Sequence, residues 1–330
     1  MGSIDKRGFS MQYYFAPMEG VTGAVYRRAH HAYFPGIDKY FMPFITPTAN
    51  GRLTPRQKRD VAAEANAGVP AVPQLLTRSA PDFIWAANAL AEMGYPEVNL
   101  NLGCPSGTVT AKGKGAGFLA HPDELDRFFD AVFSACRAAV SVKTRLGVRD
   151  PAEFDRLLAV YNRYPIAELT IHPRVRVDFY RGGVREAAFA AALPQCRMPV
   201  CYNGDVASEA VAAAVGARYP AVRAVMIGRG LVGDPSLVTR LRGGPRADKT
   251  VLEAFHNTLY ERYCAAFGDR RIAMLRMKEV WFYHLNLFAD SEKYGKRLRK
   301  AAGPDDFLAA AAAVFRDLPL REQVEPGWFR

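Results

Sequence analysis

Short apolar runs recur along the first three quarters of the chain, separated by stretches of helical character, and within each run the apolar residues are continuous rather than alternating. Parallel strands buried on both faces give that pattern. Eight runs stand out: YYFAPM near Tyr13, KYFMPFI from Lys39, AVPQLLT from Ala71, EVNLNLG from Glu97, SVKTRLG from Ser141, ELTIHPR from Glu168, PVCYNGD from Pro199 and AVMIGRG from Ala224. Between them, Pro122 with Asp123 and Glu124 opens a helix in which Leu125, Phe129, Val132 and Cys136 recur at helical spacing, so Cys136 belongs with the core. The pattern predicts an α/β chain folded as a (β/α)8 TIM barrel, with a doubly wound sheet as the alternative. The second unit is the least regular, because TPTANGRLTPRQ leaves room for only a short helix.

From Arg242 the text turns to RGGPRADK, a Gly/Pro-rich breaker, and beyond it the pattern is helical. This predicts a barrel over residues 1–245 and a smaller helical bundle over 246–330. Met274, Met277, Trp281, Leu285 and Phe288 form one apolar stripe, the expected bundle core. The segment SEKYGKRLRK, residues 291–300, carries five basic residues, among them Lys296, Arg297 and Arg299. It is either a solvated helix face or a phosphate contact.

With 330 residues, 49% of them apolar, the chain can bury a full core. A formal charge of +11 favours anionic partners, nucleic acid or a phosphate-bearing small molecule. Cysteines at 104, 136, 196, 201 and 264 form no CxxC pair and are odd in number, which argues against a zinc site or a disulfide framework; no metal is expected. The N-terminus lacks a basic-then-apolar signal, and no apolar run approaches the ~20 residues that span a bilayer. A cytoplasmic protein without membrane contact, with reduced thiols and no obligate protein partner, is the expectation.

Barrel enzymes build their sites at the C-terminal ends of the strands. Here nearly every run ends in polar residues: Gln74; Asn101 and Cys104; Lys143 and Arg145; His172 and Arg174; Asn203 and Asp205; then Gly228-Arg229-Gly230. YNGDV and IGRGL, after the last two runs, resemble phosphate-gripping loops, with backbone N–H groups of Gly204, Gly228 and Arg229 open to a phosphate and the Arg229 guanidinium as a second partner. GKGAG at 113–117 suggests a mobile segment over the site, or a plain surface loop, with Lys112 and Lys114 available to a polyanion. Cys104, between Gly103 and Pro105 just past a strand, is a candidate reactive thiol, proton donor or nucleophile.

Taken together, APMEGVTG (16–23), VNLNLGCPSGTV (98–109), GKGAGFL (113–119), SVKTRLGV (141–148), LTIHPR (169–174), YNGDV (202–206) and VMIGRG (225–230) resemble the tRNA-dihydrouridine synthases over essentially the whole length. The resemblance implies FMN in the barrel, NADPH as reductant, tRNA as partner, hydride transfer to C6 of a uracil ring and Cys104 as the acid that protonates C5. It implies Lys143 at the flavin's pyrimidine edge and Gln74 hydrogen-bonded to the ring. Pro17 and Met18 would pack beside it, while His172, Asn203, Gly204, Gly228 and Arg229 would hold the ring or its phosphate. Asn101 would contact the uracil, with Arg174 and Tyr180 near the target nucleotide, and the helical domain, through Lys296, Arg297 and Arg299, would bind tRNA. Three features depart from the family pattern: Asn99 replaces the usual aspartate, Pro173 replaces a glycine, and the segment just after Gly182 lacks the usual tryptophan. Two rivals remain: a flavin reductase of free pyrimidines, of the dihydroorotate or dihydropyrimidine dehydrogenase kind, and a non-catalytic tRNA-binding protein.

Overall fold

In the computed structural model, which describes residues 11–48, 50–322 and 324, all eight apolar runs contain strands. They are β1 (Gln12–Phe15), β2 (Lys39–Phe41), β3 (Ala71–Val72), β4 (Gln74–Leu75), β5 (Glu97–Leu102), β6 (Ala139–Arg145), β7 (Leu169–His172), β8 (Val200–Tyr202) and β9 (Ala224–Ile227). The third run is split at Pro73, which has no N–H to give to a ladder. Its first half pairs with β2 and its second with β5. All pairings are parallel, in the order β3-β2-β1-β9-β8-β7-β6-β5-β4. Because β3 and β4 are consecutive, and Ile45 bridges to Leu75, the sheet comes round on itself as the expected eight-membered barrel.

Side chains alternating along the strands fill the interior: Tyr14 and Ala16, Phe41, Val72, Cys201, then Ala224 and Met226. The outer faces pack on helices α1 (Ala24–Tyr33), α2 (Pro55–Val61), α3 (Ala80–Glu92), α5 (Pro122–Ala135), α6 (Glu153–Tyr161), α7 (Glu186–Ala192), α8 (Glu209–Arg218), α9 (Arg229–Gly233) and α10 (Leu237–Leu241), while the short α4 (Gly107–Thr110), with no buried residue, lies in the loop after β5. The irregular segment after β2 does contain only a short helix, α2, started by a reciprocal capping box between Thr54 and Gln57.

Four further helices follow: α11 (Lys249–Phe267), α12 (Arg270–His284), α13 (Glu292–Lys300) and α14 (Pro304–Asp317). The hairpin between α11 and α12 is set by Gly268 in the left-handed region (φ +65) and Asp269, whose carboxylate accepts from the first amides of α12. Met274, Met277, Trp281 and Phe288 are buried, as their spacing predicts. Tyr33 Oη lies 2.7 Å from Thr258 Oγ1, tying α11 to the barrel. Arg276 of α12 donates to the Gly20 carbonyl (3.2 Å), which brings α12 to the loop after β1. Among the described residues no helix is long and apolar enough to cross a membrane.

Candidate active site

The C-terminal ends of the strands surround a cavity of about 490 Å³. Pro17, Met18, Gln74, Asn101, Cys104, Lys143, His172, Tyr180, Asn203, Gly204, Gly228 and Arg229 all line it. Eight strands end at one mouth, so residues distant in sequence converge there.

Cys104 is held by its backbone. Asn101 Oδ1 accepts from the amides of both Gly103 and Cys104 (3.0 Å each), Arg145 Nε donates to the Gly103 carbonyl (2.8 Å), and Ala116 N–H donates to the Cys104 carbonyl (3.0 Å). The GKGAG segment thus lies against the Cys104 loop. Its glycines serve close packing: a Cβ on Gly115 would lie 2.9 Å from the Cys104 carbonyl oxygen, and one on Gly117 2.7 Å from that of Thr110. Burial pushes the half-buried Cys104 thiol above the ordinary thiol range, against the opposing pull of Arg145 and Lys143, so at neutral pH it carries its proton.

Behind Cys104 runs a chain of buried amides. Asn101 Nδ2 donates to Gln74 Oε1 (2.7 Å), Gln74 Nε2 to Asn99 Oδ1 (2.8 Å), and Asn99 Nδ2 to Ser141 Oγ (2.9 Å). Each member fixes the orientation of the next, and with it which atom of Gln74 faces the cavity.

Across the cavity, Lys143 Nζ donates to Asn203 Oδ1 (2.7 Å), and Asn203 Nδ2 donates to the Met226 carbonyl (2.8 Å). Burial, helped by Arg145, lowers the Lys143 ammonium to about 8, which leaves it charged at neutral pH. His172 is held neutral by burial and by the Arg145, Lys143, Arg174 and Arg229 charges around it. Arg174 Nη1 donates to His172 Nε2 (2.9 Å); since a guanidinium only donates, the ring proton sits on Nδ1.

Arg174 itself does not line the cavity. It is 1% exposed, and its guanidinium grips both oxygens of Asp205 and the Gly182 carbonyl. Asp205 also accepts from Arg229 (2.7 Å), so Arg174 supports this wall of the cavity from behind. The exposed cations Lys296, Arg297 and Arg299 lie on α13, outside the cavity.

Several lining residues were not foreseen in these roles. Arg145 is buried between the Cys104 loop and Tyr180, whose ring lies 5.3 Å from its guanidinium carbon and 5.1 Å from that of Arg229. Glu19 and Phe44 come from loops after β1 and β2, and Asp205 follows β8. Glu279, Phe282 and Tyr283 belong to α12, which thus supplies one wall. Phe282 and Tyr283 sit just past Trp281 of the buried stripe; an aromatic off the core face was the available signal.

A sequence model of the dihydrouridine synthase family (Dus) matches residues 14–310. A "probable tRNA-dihydrouridine synthase" of Rhodobacter capsulatus is 31% identical over 71% of each chain. A "tRNA-dihydrouridine(16) synthase" of Cupriavidus necator is 33% identical over 81% of this chain and 88% of its own. Among solved structures, morphinone reductase superposes with a TM-score of 0.52 at 14% identity, over 73% of this chain and 88% of its own, a likeness of fold. With the family match spanning barrel and helical region alike, this chain belongs to the dihydrouridine synthase family.

Proposed function

We propose that the chain reduces uridine in tRNA to 5,6-dihydrouridine, using FMN in the barrel cavity and NADPH as the source of reducing equivalents. The observation that carries the assignment is the meeting, in one cavity, of a protonated thiol, Cys104, with the donors Lys143, His172 and Arg229. Such a donor set suits a ligand rich in carbonyl oxygens and bearing a phosphate. Ala16, Met18, Met226 and Ile227 add an apolar surface for a planar ring.

Bound there, a reduced flavin would supply hydride to C6 of the uracil ring. The residues of the chain do the rest. Lys143, held by Asn203, would offer a cation to the flavin's pyrimidine edge, and Gln74 would hydrogen-bond the ring. Gly204, Gly228 and Arg229 would hold its phosphate, with His172 able to donate from Nδ1. C5=C6 is conjugated with the C4 carbonyl, so addition at C6 leaves enolate-like density toward C5, which the Cys104 Sγ–H quenches as general acid. Asn101 serves chiefly to aim the Cys104 loop, and Tyr180, 49% exposed at the rim, is the surface for the incoming nucleotide. The reaction is assigned to the cytoplasm, in keeping with five unpaired cysteines.

One anaerobic cuvette tests this. Purified protein, with FMN added if needed, is expected to show a flavin spectrum that bleaches with NADPH and recovers when unmodified tRNA is added. Recovery with free uridine at a comparable rate would transfer the assignment to a pyrimidine reductase, and failure to bind flavin would leave a tRNA-binding barrel.

A further inference from the structure

A second concavity lies beside the Cys104 loop, lined by Arg78, Thr110, Lys112, His121, Val148 and Arg176 together with glycine and alanine backbone. Its residues come from the loops after β4, β5, β6 and β7. No carboxylate lines it, and Arg78, Lys112 and Arg176 form no ion pair among the described residues; His121 has only Glu124, at 3.9 Å. Three unneutralised cations around one shallow cleft, on the mouth side of the barrel, make a strongly anion-attracting surface.

A second feature adjoins it. Phe179, on the turn that its own N–H closes onto the Arg176 carbonyl (3.1 Å), is 44% exposed and makes no aromatic contact among the described residues. Its φ of +51 lies where side chains other than glycine are strained. A strained turn that carries an exposed aromatic ring and begins at Arg176, one of the cleft's unpaired arginines, has the composition of a surface for single-stranded nucleic acid, phosphates on the cations and a base on the ring.

The strand order gives the surface its position. Counting round the barrel, β5 and β6 stand opposite β9 and β1, and the helical region reaches the mouth at the β1 and β9 side through Arg276 and Tyr283. An RNA that lowers one nucleotide into the cavity between them meets the helical region on one side and this cleft on the other.

We propose that the cleft formed by Arg78, Lys112 and Arg176 binds backbone phosphates of the tRNA strand flanking the target uridine, with Phe179 stacking on a neighbouring base. This rests on tRNA being the substrate. The test measures affinity for an unmodified tRNA transcript against salt concentration, for the wild-type holoenzyme and three variants. Arg78→Ala/Arg176→Ala is expected to lower the slope of log K against log salt by about 1.4, two phosphates on a single strand. Arg78→Lys/Arg176→Lys restores most of it, because a point charge suffices for a phosphate. Phe179→Gly relieves the strain, so its melting temperature rises or holds while tRNA affinity falls about 5-fold or more. FMN titration stays unchanged in all three. Wild-type protein that binds no tRNA would remove the substrate reading and this site with it. Wild-type binding with unaltered slope and affinity in the alanine and glycine variants would overturn the cleft alone.

Discussion

Cys104 illustrates how a single side chain acquires its chemistry from backbone restraint. Asn101, Arg145 and Ala116 fix the loop from three elements, and burial keeps the thiol protonated. A donor held at fixed position with its proton on is what a general acid requires. Cys104→Ala is therefore expected to bind FMN and accept electrons from NADPH normally while dihydrouridine formation slows ~100-fold or more. Stopped-flow absorbance separates the two half-reactions, and undiminished reoxidation by tRNA would remove the thiol from the mechanism. Asn99 shows why one departure from the family pattern is tolerated: an asparagine, like an aspartate, presents an oxygen to Gln74 Nε2, and its amide finds Ser141 Oγ. Pro173 likewise fits, because the turn uses its carbonyl, accepting from Arg185 N–H at 2.7 Å.

Among the elements, the strands were legible because each is a continuous apolar run, and a run buried on both faces has few other structures open to it. The break at Pro73 and the closure through Ile45 were not, since both depend on which strand lies alongside. The site was legible to the same degree. Polar residues at strand ends share the mouth by topology, but whether one faces inward depends on where the chain turns: Lys143 and Arg145, two apart on β6, both line the cavity, whereas Arg174, past the end of β7, swings onto Asp205. The wall from α12 was hidden because helical periodicity identifies the buried stripe and says nothing of what the opposite face meets.

For α13 the periodicity is informative: Gly295 and Leu298 are buried, while Lys293, Lys296, Arg297, Arg299 and Lys300 project outward and form no ion pairs among the described residues. Replacing Lys296, Arg297 and Arg299 together with alanine keeps the helix, since alanine is the best helix former. Affinity for tRNA is expected to drop and its salt slope to flatten by up to ~0.7–0.9 for each phosphate no longer neutralised. A slope equal to that of the wild type would show that α13 is a solvated face.

At the scale of the whole molecule, the barrel and the helical region share a seam of buried histidines that gives stability a pH dependence. His30 of α1 lies with its Nε2 3.1 Å from the Pro235 carbonyl and its Nδ1 2.9 Å from Tyr40 Oη; His256 Nδ1 accepts from Trp281 Nε1 at 3.1 Å; and Phe255 packs against both His30 and His284. Burial lowers these imidazoles to about 3, 3 and 4 respectively, so they stay neutral in the folded chain. Unfolded, each takes a proton near ~6.5. Their contribution is thus complete above that pH and is lost as the pH falls toward 4, each proton taken up on unfolding steepening the loss by about 1.4 kcal/mol per pH unit. Glu168 acts the other way. At the base of the barrel, against Tyr14 and Lys39, burial raises it to about 7, so it favours the folded state below its ordinary 4.5 and that advantage vanishes as pH rises through 7. Three histidines outweigh one carboxyl, and unfolding free energy from urea melts is expected to fall steadily between pH 7 and pH 5. His256→Gln, which keeps an acceptor for Trp281 and cannot titrate, makes that fall shallower, and Glu168→Gln makes it steeper. If the His256→Gln profile parallels the wild type, the seam is not what limits the molecule in acid, and the carboxylates of the surface take that role.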